Sequence, residues 1–345
     1  MFHPGLPDKI VNISSILLSK LINRGKDPRA MDFTNILCIR QDEIGDMCYS
    51  LHIFKLLRER YPLAKITVWC KPAASGIIKN DPNINLIVTD KNQLSGKFDL
   101  IVDLRGRWPG VLYSLFHPSK IRLERGSVRL KNKLAKGQPH EAVTNFEVIQ
   151  PLLKNPDIKM PLPAITSSSD EIAAAEKFIS ENGLKRFAIM HTQVKRELRQ
   201  WPGERFAATA ALLKNEYGLD IVFCGDKTEI EGITSIQQQI NFPTFSVAGV
   251  LNLGAFAALS KKATFFIGND SSPLHIATLS GVPSLGLFGP GQSDTFFPIT
   301  ENSGYLHHLL PCNPCHQIKC VHPDNPCIKR ITIDEVKEKI ATLLV

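Results

Sequence analysis

At 345 residues the chain is long enough for two ordinary domains, and its 43% hydrophobic content is that of a water-soluble globular protein with no apolar run long enough to span a bilayer. A formal charge of +8 and an isoelectric point near 9.0 favour an acidic partner, whether an anionic membrane, a phosphorylated substrate or nucleic acid. Nucleic acid is the weakest of these, because the 8% of aromatic residues do not interleave with the basic ones into a base-stacking platform.

The N-terminus has no charged start, clean apolar core or small-residue cleavage site, so no secretory signal is expected. Residues 8–24 place Ile10, Ile13, Leu17 and Leu21 on one stripe of an amphipathic helix. That stripe suits packing on the protein, an extension ahead of the domain, or an anchor on a membrane surface. From residue 35 the pattern alternates: a strand over 35–40, a polar turn over 41–46, a helix over 47–61, and strands over 65–70, 84–89 and 100–103. Alternating strands and helices on short links imply a parallel sheet covered on both faces. Residues 120–136 then carry seven basic side chains, Lys120, Arg122, Arg125, Arg129, Lys131, Lys133 and Lys136, against one acid, Glu124. Beyond the end of a strand, this run reads as a surface for an acidic substrate, or else as a solvated charged face.

A helix over 141–153 closes the first half, and the proline- and serine-rich segment 155–169 is an extended linker. The alternation then restarts, with helices over 169–182, 203–217, 229–240 and 252–261 and strands over 186–191 and 220–224. The stretch 263–290 reads as a buried strand, a tight polar loop, a helix with Ser272 as N-cap and Pro273 in its first turn, and a second apolar strand. Such a helix start aims unpaired N–H groups at the strand ends and suits an anion, with Asp270 beside it to bind hydroxyls. Two Rossmann-like halves joined by a linker predict a cleft lined by strand ends.

Four cysteines, Cys38, Cys48, Cys70 and Cys224, fall in apolar segments as small hydrophobes, which favours a reducing compartment. The other four, Cys312, Cys315, Cys320 and Cys327, open with a C-x2-C pair in a proline-rich segment. That geometry suits four-sulfur zinc or iron, with reduced thiols as the alternative. No dinucleotide fingerprint, Walker loop, nucleophile elbow or H-E-x-x-H is present, and no two aspartates sit two apart. An anionic leaving group would therefore be met by helix N-termini and basic side chains. Asp46, after Gly45 at the mouth of the sheet, is either a helix cap or a general base.

Several ordered motifs carry a resemblance. The run from ILCIRQDEIGDM through NINLIV, then FDLIVDLRGRWPG, RQWPGERFAATAALL and GNDSSPLHIATLSGVPSLGLFGP, resembles glycosyltransferase family 9, the ADP-heptose:lipopolysaccharide heptosyltransferases, from about residue 35 onward. The resemblance implies an α/β GT-B fold, with two Rossmann-like domains whose parallel sheets face across a cleft. It divides the chain into an extension (1–31), an acceptor domain (32–160), a donor domain (161–332) and a C-terminal helix (333–345) expected to pack back on the first domain. It further implies an inverting, metal-independent transfer of heptose from ADP-heptose to the acidic, lipid-linked inner core of lipopolysaccharide. The setting it implies is cytoplasmic, at the inner membrane surface, with no nucleic-acid partner.

Carried onto this chain, the resemblance makes Asp46 the base. Donor contacts fall on Thr192, Arg199, Glu229, Asp270, Ser271, Ser272 and His275, and the basic run read above, with the arginines just before it, is then expected to supply acceptor contacts at Arg105, Arg107, Arg122, Arg125 and Arg129. No cofactor is implied for catalysis, which leaves the cysteine quartet for a structural zinc or iron. Ser271-Ser272 stand where the family has Thr-Gly, and the loop after Thr192 is differently spaced, so another nucleotide sugar, a protein acceptor and a non-catalytic glycan binder remain alternatives.

Overall fold

The computed structural model describes residues 6–135, 137, 139–313, 315 and 317–344. Lys136, counted in the basic run, lies outside them. The chain divides into two compact units, one ending at Thr166 and one beginning at Ser167, within the proline-rich linker.

The first unit runs α1 (Leu6–Ile22), β1 (Asn35–Arg40), α2 (Ile44–Cys48), α3 (Leu51–Arg60), β2 (Lys65–Cys70), α4 (Pro72–Ile78), β3 (Leu86–Val88), β4 (Leu100–Asp103), α5 (Trp108–Phe116), β5 (Ile121–Glu124), α6 (Arg125–Ala135) and α7 (Glu141–Ile149). Its strands are parallel in the order β3-β2-β1-β4-β5. β1 is apolar at nearly every position because helices cover both of its faces, and Ile36 to Ile39 are fully buried. Strand order reverses between β1 and β4, where Ile39 pairs with Asp103, so the crevice at the strand ends opens beside Arg40.

α1 corrects the expectation that residues 1–31 stand outside this domain. It lies on the edge strand β5, and Asn23 just beyond it accepts from the Arg122 N–H (2.9 Å) and donates to the Arg122 carbonyl (2.8 Å), covering the open sheet edge. Its buried stripe is Val11, Ser15 and Ser19, while Ile10, Ile13, Leu17 and Leu21 point to solvent. The apolar stripe read from the sequence is therefore real, but it faces outward.

The second unit runs α8 (Ser169–Glu181), β6 (Phe187–His191), α9 (Gly203–Tyr217), β7 (Asp220–Phe223), α10 (Ile230–Gln237), β8 (Phe245–Ser246), α11 (Leu253–Lys262), β9 (Phe265–Asn269), α12 (Ser272–Leu279), β10 (Ser284–Phe288), α13 (Ser293–Phe296), β11 (Ser303–His307) and α14 (Ile333–Leu343). The sheet is parallel in the order β11-β10-β9-β6-β7-β8 and reverses between β6 and β9, where His191 pairs with Gly268. Its core holds Met190, Trp201, Phe206, Phe265 and Leu285. Within this unit α14 packs on α9 and β11, with Val336 and Ile340 in the same core. Among the described residues no helix is long and apolar enough to cross a membrane.

Candidate functional site

In the first unit the C-terminal end of β1 delivers Arg40, fully buried, into a cluster of carboxylates. Its Nη2 donates to Glu141 Oε1 (2.8 Å), and its Nη1 lies 3.2 Å from Asp42 Oδ2 and donates to the Leu104 carbonyl (2.5 Å). The same Nη2 reaches the Asp46 carbonyl (3.0 Å) and lies 3.5 Å from its carboxylate. Arg105 holds the other oxygen of Asp42 at 2.6 Å, and Arg125 pairs with Glu141. Of the three carboxylates, Asp46 is the open one, with its side chain 19% exposed against 4% for Asp42 and none for Glu141.

Asp46 lies within the first turn of α2, whose N-cap is Glu43, so it is not the cap of that helix. Burial raises its pKa above the ordinary carboxylate value; Arg40 opposes the shift, and the charges of Asp42 and Glu141 add to it. At Glu141 burial also pushes upward, but the Arg125 and Arg40 guanidiniums outweigh it and bring the group down to about 2. Two neighbouring carboxylates are thus driven in opposite directions, the pattern expected where one is a structural anion and the other exchanges protons.

The five arginines assigned to the acceptor separate. Arg122 is buried and commits its side chain to Asp103 (2.6 Å), Ser114 (3.0 Å), Ser15 (3.0 Å) and Ser19 (2.6 Å), so it holds α1 and α5 to the sheet and does not reach a ligand. Arg125 is likewise buried, on Glu141. Arg105 and Arg129 are partly accessible and Arg107 is exposed.

In the second unit, β6 and β9 end side by side on His191 and Asn269. Asn269 Nδ2 donates to the Thr192 carbonyl (3.0 Å) and its Oδ1 accepts from the Trp201 N–H (2.9 Å), fixing the loop that carries Arg199. Arg199 Nη1 lies 3.1 Å from Asp270 Oδ2, and its Nε donates to Gln317 Oε1 (2.6 Å). Asp270 is buried, which raises its pKa against the pull of Arg199. A Cβ at Gly291 would run into Asp270 Oδ2, so only glycine lets that loop pass the carboxylate.

The N-cap of α12 is Ser271, one residue before the position expected, and its hydroxyl makes no capping bond. That hydroxyl instead meets His191 Nδ1 (2.9 Å) and the Asn269 carbonyl (3.1 Å), while His191 Nε2 lies 3.4 Å from Glu229 Oε2. The first-turn amides of α12 are therefore left without their own serine cap, a ready anion site. Thr192, Arg199, Glu229, Asp270 and Ser271 gather at these strand ends through the contacts with one another, His191 and Asn269, and Ser272 follows as the first residue of α12. His275 is buried within α12 and its ring lies tilted to Phe296 at 6.4 Å.

All four C-terminal cysteines are free thiols lining one small cavity of about 30 Å³ with Leu198, Pro290 and Asn313. The amides of Gln317 and His322 donate to the sulfurs of Cys315 and Cys320, each at 3.4 Å. Among the described residues no three Cys, His, Asp or Glu side chains are grouped closely enough to hold a metal ion as they stand.

Residues 91–324 match glycosyltransferase family 9 (heptosyltransferase). The chain belongs to this family. It is 27% identical over 276 residues to the lipopolysaccharide core heptosyltransferase OpsX of Haemophilus influenzae, a match covering 73% of this chain and 78% of that protein. The solved family 9 glycosyl transferase of Veillonella parvula is similar with a TM-score of 0.74 at 20% identity, over 91% of this chain and 97% of that one. The ADP-heptose lps heptosyltransferase II of E. coli gives 0.70 at 21% identity, over 90% and 98%. The two parallel α/β units are those of the GT-B fold, and the protein is a glycosyltransferase.

Sequence reasoning about this family 9 chain missed Arg40, Asp42, Glu141, His191 and Asn269. Arg40 and His191 did carry a signal, since each is a polar residue ending an otherwise apolar strand. Glu141 carried none, because it looks like an ordinary acid in a first helical turn.

Proposed function

We propose that this glycosyltransferase moves heptose from ADP-heptose to the acidic inner core of lipopolysaccharide, with inversion and without a catalytic metal. The acceptor hydroxyl oxygen attacks the anomeric carbon on the face opposite the diphosphate. The bond from that carbon to the diphosphate oxygen breaks, ADP leaves with the electron pair, and the hydroxyl proton passes to Asp46. Arg199 and the first-turn amides of α12 meet the charge growing on the diphosphate, while Glu229 and Asp270 take hydroxyls of the ribose and the heptose. Arg105, Arg107 and Arg129, the accessible arginines of the five, would meet acidic groups of the acceptor.

The observation that carries this reading is Asp46, the most exposed carboxylate of a buried cluster, with its pKa raised by burial. Mass-spectrometric detection of transfer, with ADP-, UDP- and GDP-sugars offered against purified core acceptors, tests it. ADP-heptose is expected to be used and Asp46→Ala to abolish turnover while ADP still binds; turnover retained in that variant removes the assigned role.

We also propose that the cysteine quartet, once its sulfurs are drawn closer than they stand here, takes a thiophilic structural ion such as zinc or iron; amide-to-sulfur bonds of the kind seen at Cys315 and Cys320 stabilise thiolates and support this reading. Cys312, Cys315, Cys320 and Cys327 would hold it, and the ion would tie this loop together without entering the reaction. Elemental analysis should find about one ion per chain; metal-free protein with full thermal stability would dismiss it.

A further inference from the structure

α1 is built inside out for a helix on a protein surface. Its outward pole carries Ile10, Ile13, Leu17 and Leu21, the last three at 58%, 60% and 71% exposure, while its inward stripe is Val11, Ser15 and Ser19. The inward serines are accounted for by the buried Arg122 guanidinium. The outward residues, four branched apolar side chains repeating at three- and four-residue steps, have no such account. α1 adjoins α5 and α6. α5 presents Trp108, Leu112, Leu115 and Phe116, spaced to share one helical face and all exposed, and α6 exposes Leu130 and Leu134 one turn apart. Three neighbouring helices of one unit thus leave apolar stripes uncovered, which a soluble domain rarely does without a partner.

The charge around these stripes says what the partner is. Residues 10–26, 105–123 and 125–135 contain eleven Lys and Arg and no Asp or Glu. Lys20, Arg24, Lys26, Arg107, Lys120, Lys131 and Lys133 are exposed. Two copies of this chain meeting through the face would bring like charges together. An interface plane of lipid headgroups meets both demands, taking the apolar pole to the acyl boundary and the lysines and arginines to phosphates. We propose that the outward face of α1, with the exposed stripes of α5 and α6, docks the protein on an anionic phospholipid bilayer.

The residues changed below carry no donor or acceptor assignment, so transfer to a water-soluble acceptor fragment should be unchanged in those variants. Trp108 reports on the unaltered protein, since the other two tryptophans, Trp69 and Trp201, are buried. Brominated phosphatidylglycerol mixed with phosphatidylethanolamine should quench Trp108 fluorescence, brominated phosphatidylcholine alone should not, and high salt should reverse the quenching. Ile13→Glu with Leu17→Glu should weaken vesicle co-sedimentation at least about tenfold. Lys20→Glu with Arg24→Glu should selectively reduce binding to the anionic vesicles. Wild-type protein that neither pellets nor quenches overturns the proposal, as does unchanged binding in the Ile13/Leu17 variant. If that variant instead converts an oligomer to a monomer with vesicle binding intact, the face is a protein interface and the lipid assignment fails.

Discussion

Glu141 sits fully buried between Arg40 and Arg125, and its acidity is set by those two cations. Its folded pKa of about 2 lies below the ordinary 4.5, so the carboxylate contributes stability that is complete above 4.5 and lost as the pH falls toward 2. Glu141→Gln leaves two buried guanidiniums without their anion and should cost about 3–5 kcal/mol, as loss of one partner of a buried pair does. Chemical denaturation at neutral pH checks the magnitude. Between pH 4.5 and 2, stability should also fall less steeply in the variant than in wild type. Asp46 has the opposite sign. Its pKa is raised, so a base at this position is lost on acidification earlier than an ordinary aspartate would be. The acid limb of log kcat/KM should therefore lie above the normal aspartate range, and a limb at or below that range would remove Asp46 from the proton transfer. The sequence showed Asp46 as a candidate, but not its environment: Arg40 and Asp42 lie in the same segment as Asp46, while Glu141, 101 residues beyond Arg40, is brought beside them only by the folded sheet.

At the level of elements, α12 and the loops around it were the most legible part of the chain. The strand, the polar turn, the proline and the glycine stop occur in order, and the helix begins within one residue of its expected start. The one-residue error has a cause. The Ser271 hydroxyl is drawn to His191 and the Asn269 carbonyl, contacts invisible in a linear reading, so it occupies the N-cap position without capping. Two substitutions test this element. Gly291→Ala drives a methyl group into Asp270 Oδ2 and should displace the Asp270–Arg199 pair. We expect ADP affinity measured by calorimetry to fall about tenfold, with a change in melting temperature of only a few degrees. Arg199→Lys retains the charge but gives up the fork that holds both Asp270 and Gln317, and should weaken ADP binding in the same direction. The basic run 120–136 was the least legible element, since its periodicity cannot reveal that Arg122 and Arg125 turn inward while Lys131 and Lys133 stay in solvent.

For the molecule as a whole, alternating strand and helix patterns were enough to give two parallel sheets joined by a proline-rich linker, because a strand buried on both faces must be apolar throughout. What they did not reveal was how the first helix sits on its sheet. The sequence marked residues 8–24 as an amphipathic helix but left open whether its apolar stripe packs on the protein, extends ahead of the domain or meets a membrane, and only Arg122, more than a hundred residues later, explains why serines take the inward side. A truncated protein starting at Met31 should therefore do more than lose a tail. It uncovers the β5 edge and strips Arg122 of Ser15 and Ser19, and we expect it to melt several degrees lower and to aggregate on heating, as scanning calorimetry with light scattering would show.

The separation of 107 residues between Ser15 and Arg122 also has a meaning in time. During synthesis at about 5–20 residues per second, α1 emerges roughly 5–20 s before the strand that seats it. Through that interval its serine stripe has no guanidinium to lie against and both sides of the segment are open, so we expect aggregation of the nascent polypeptide to be favoured until β5 is made.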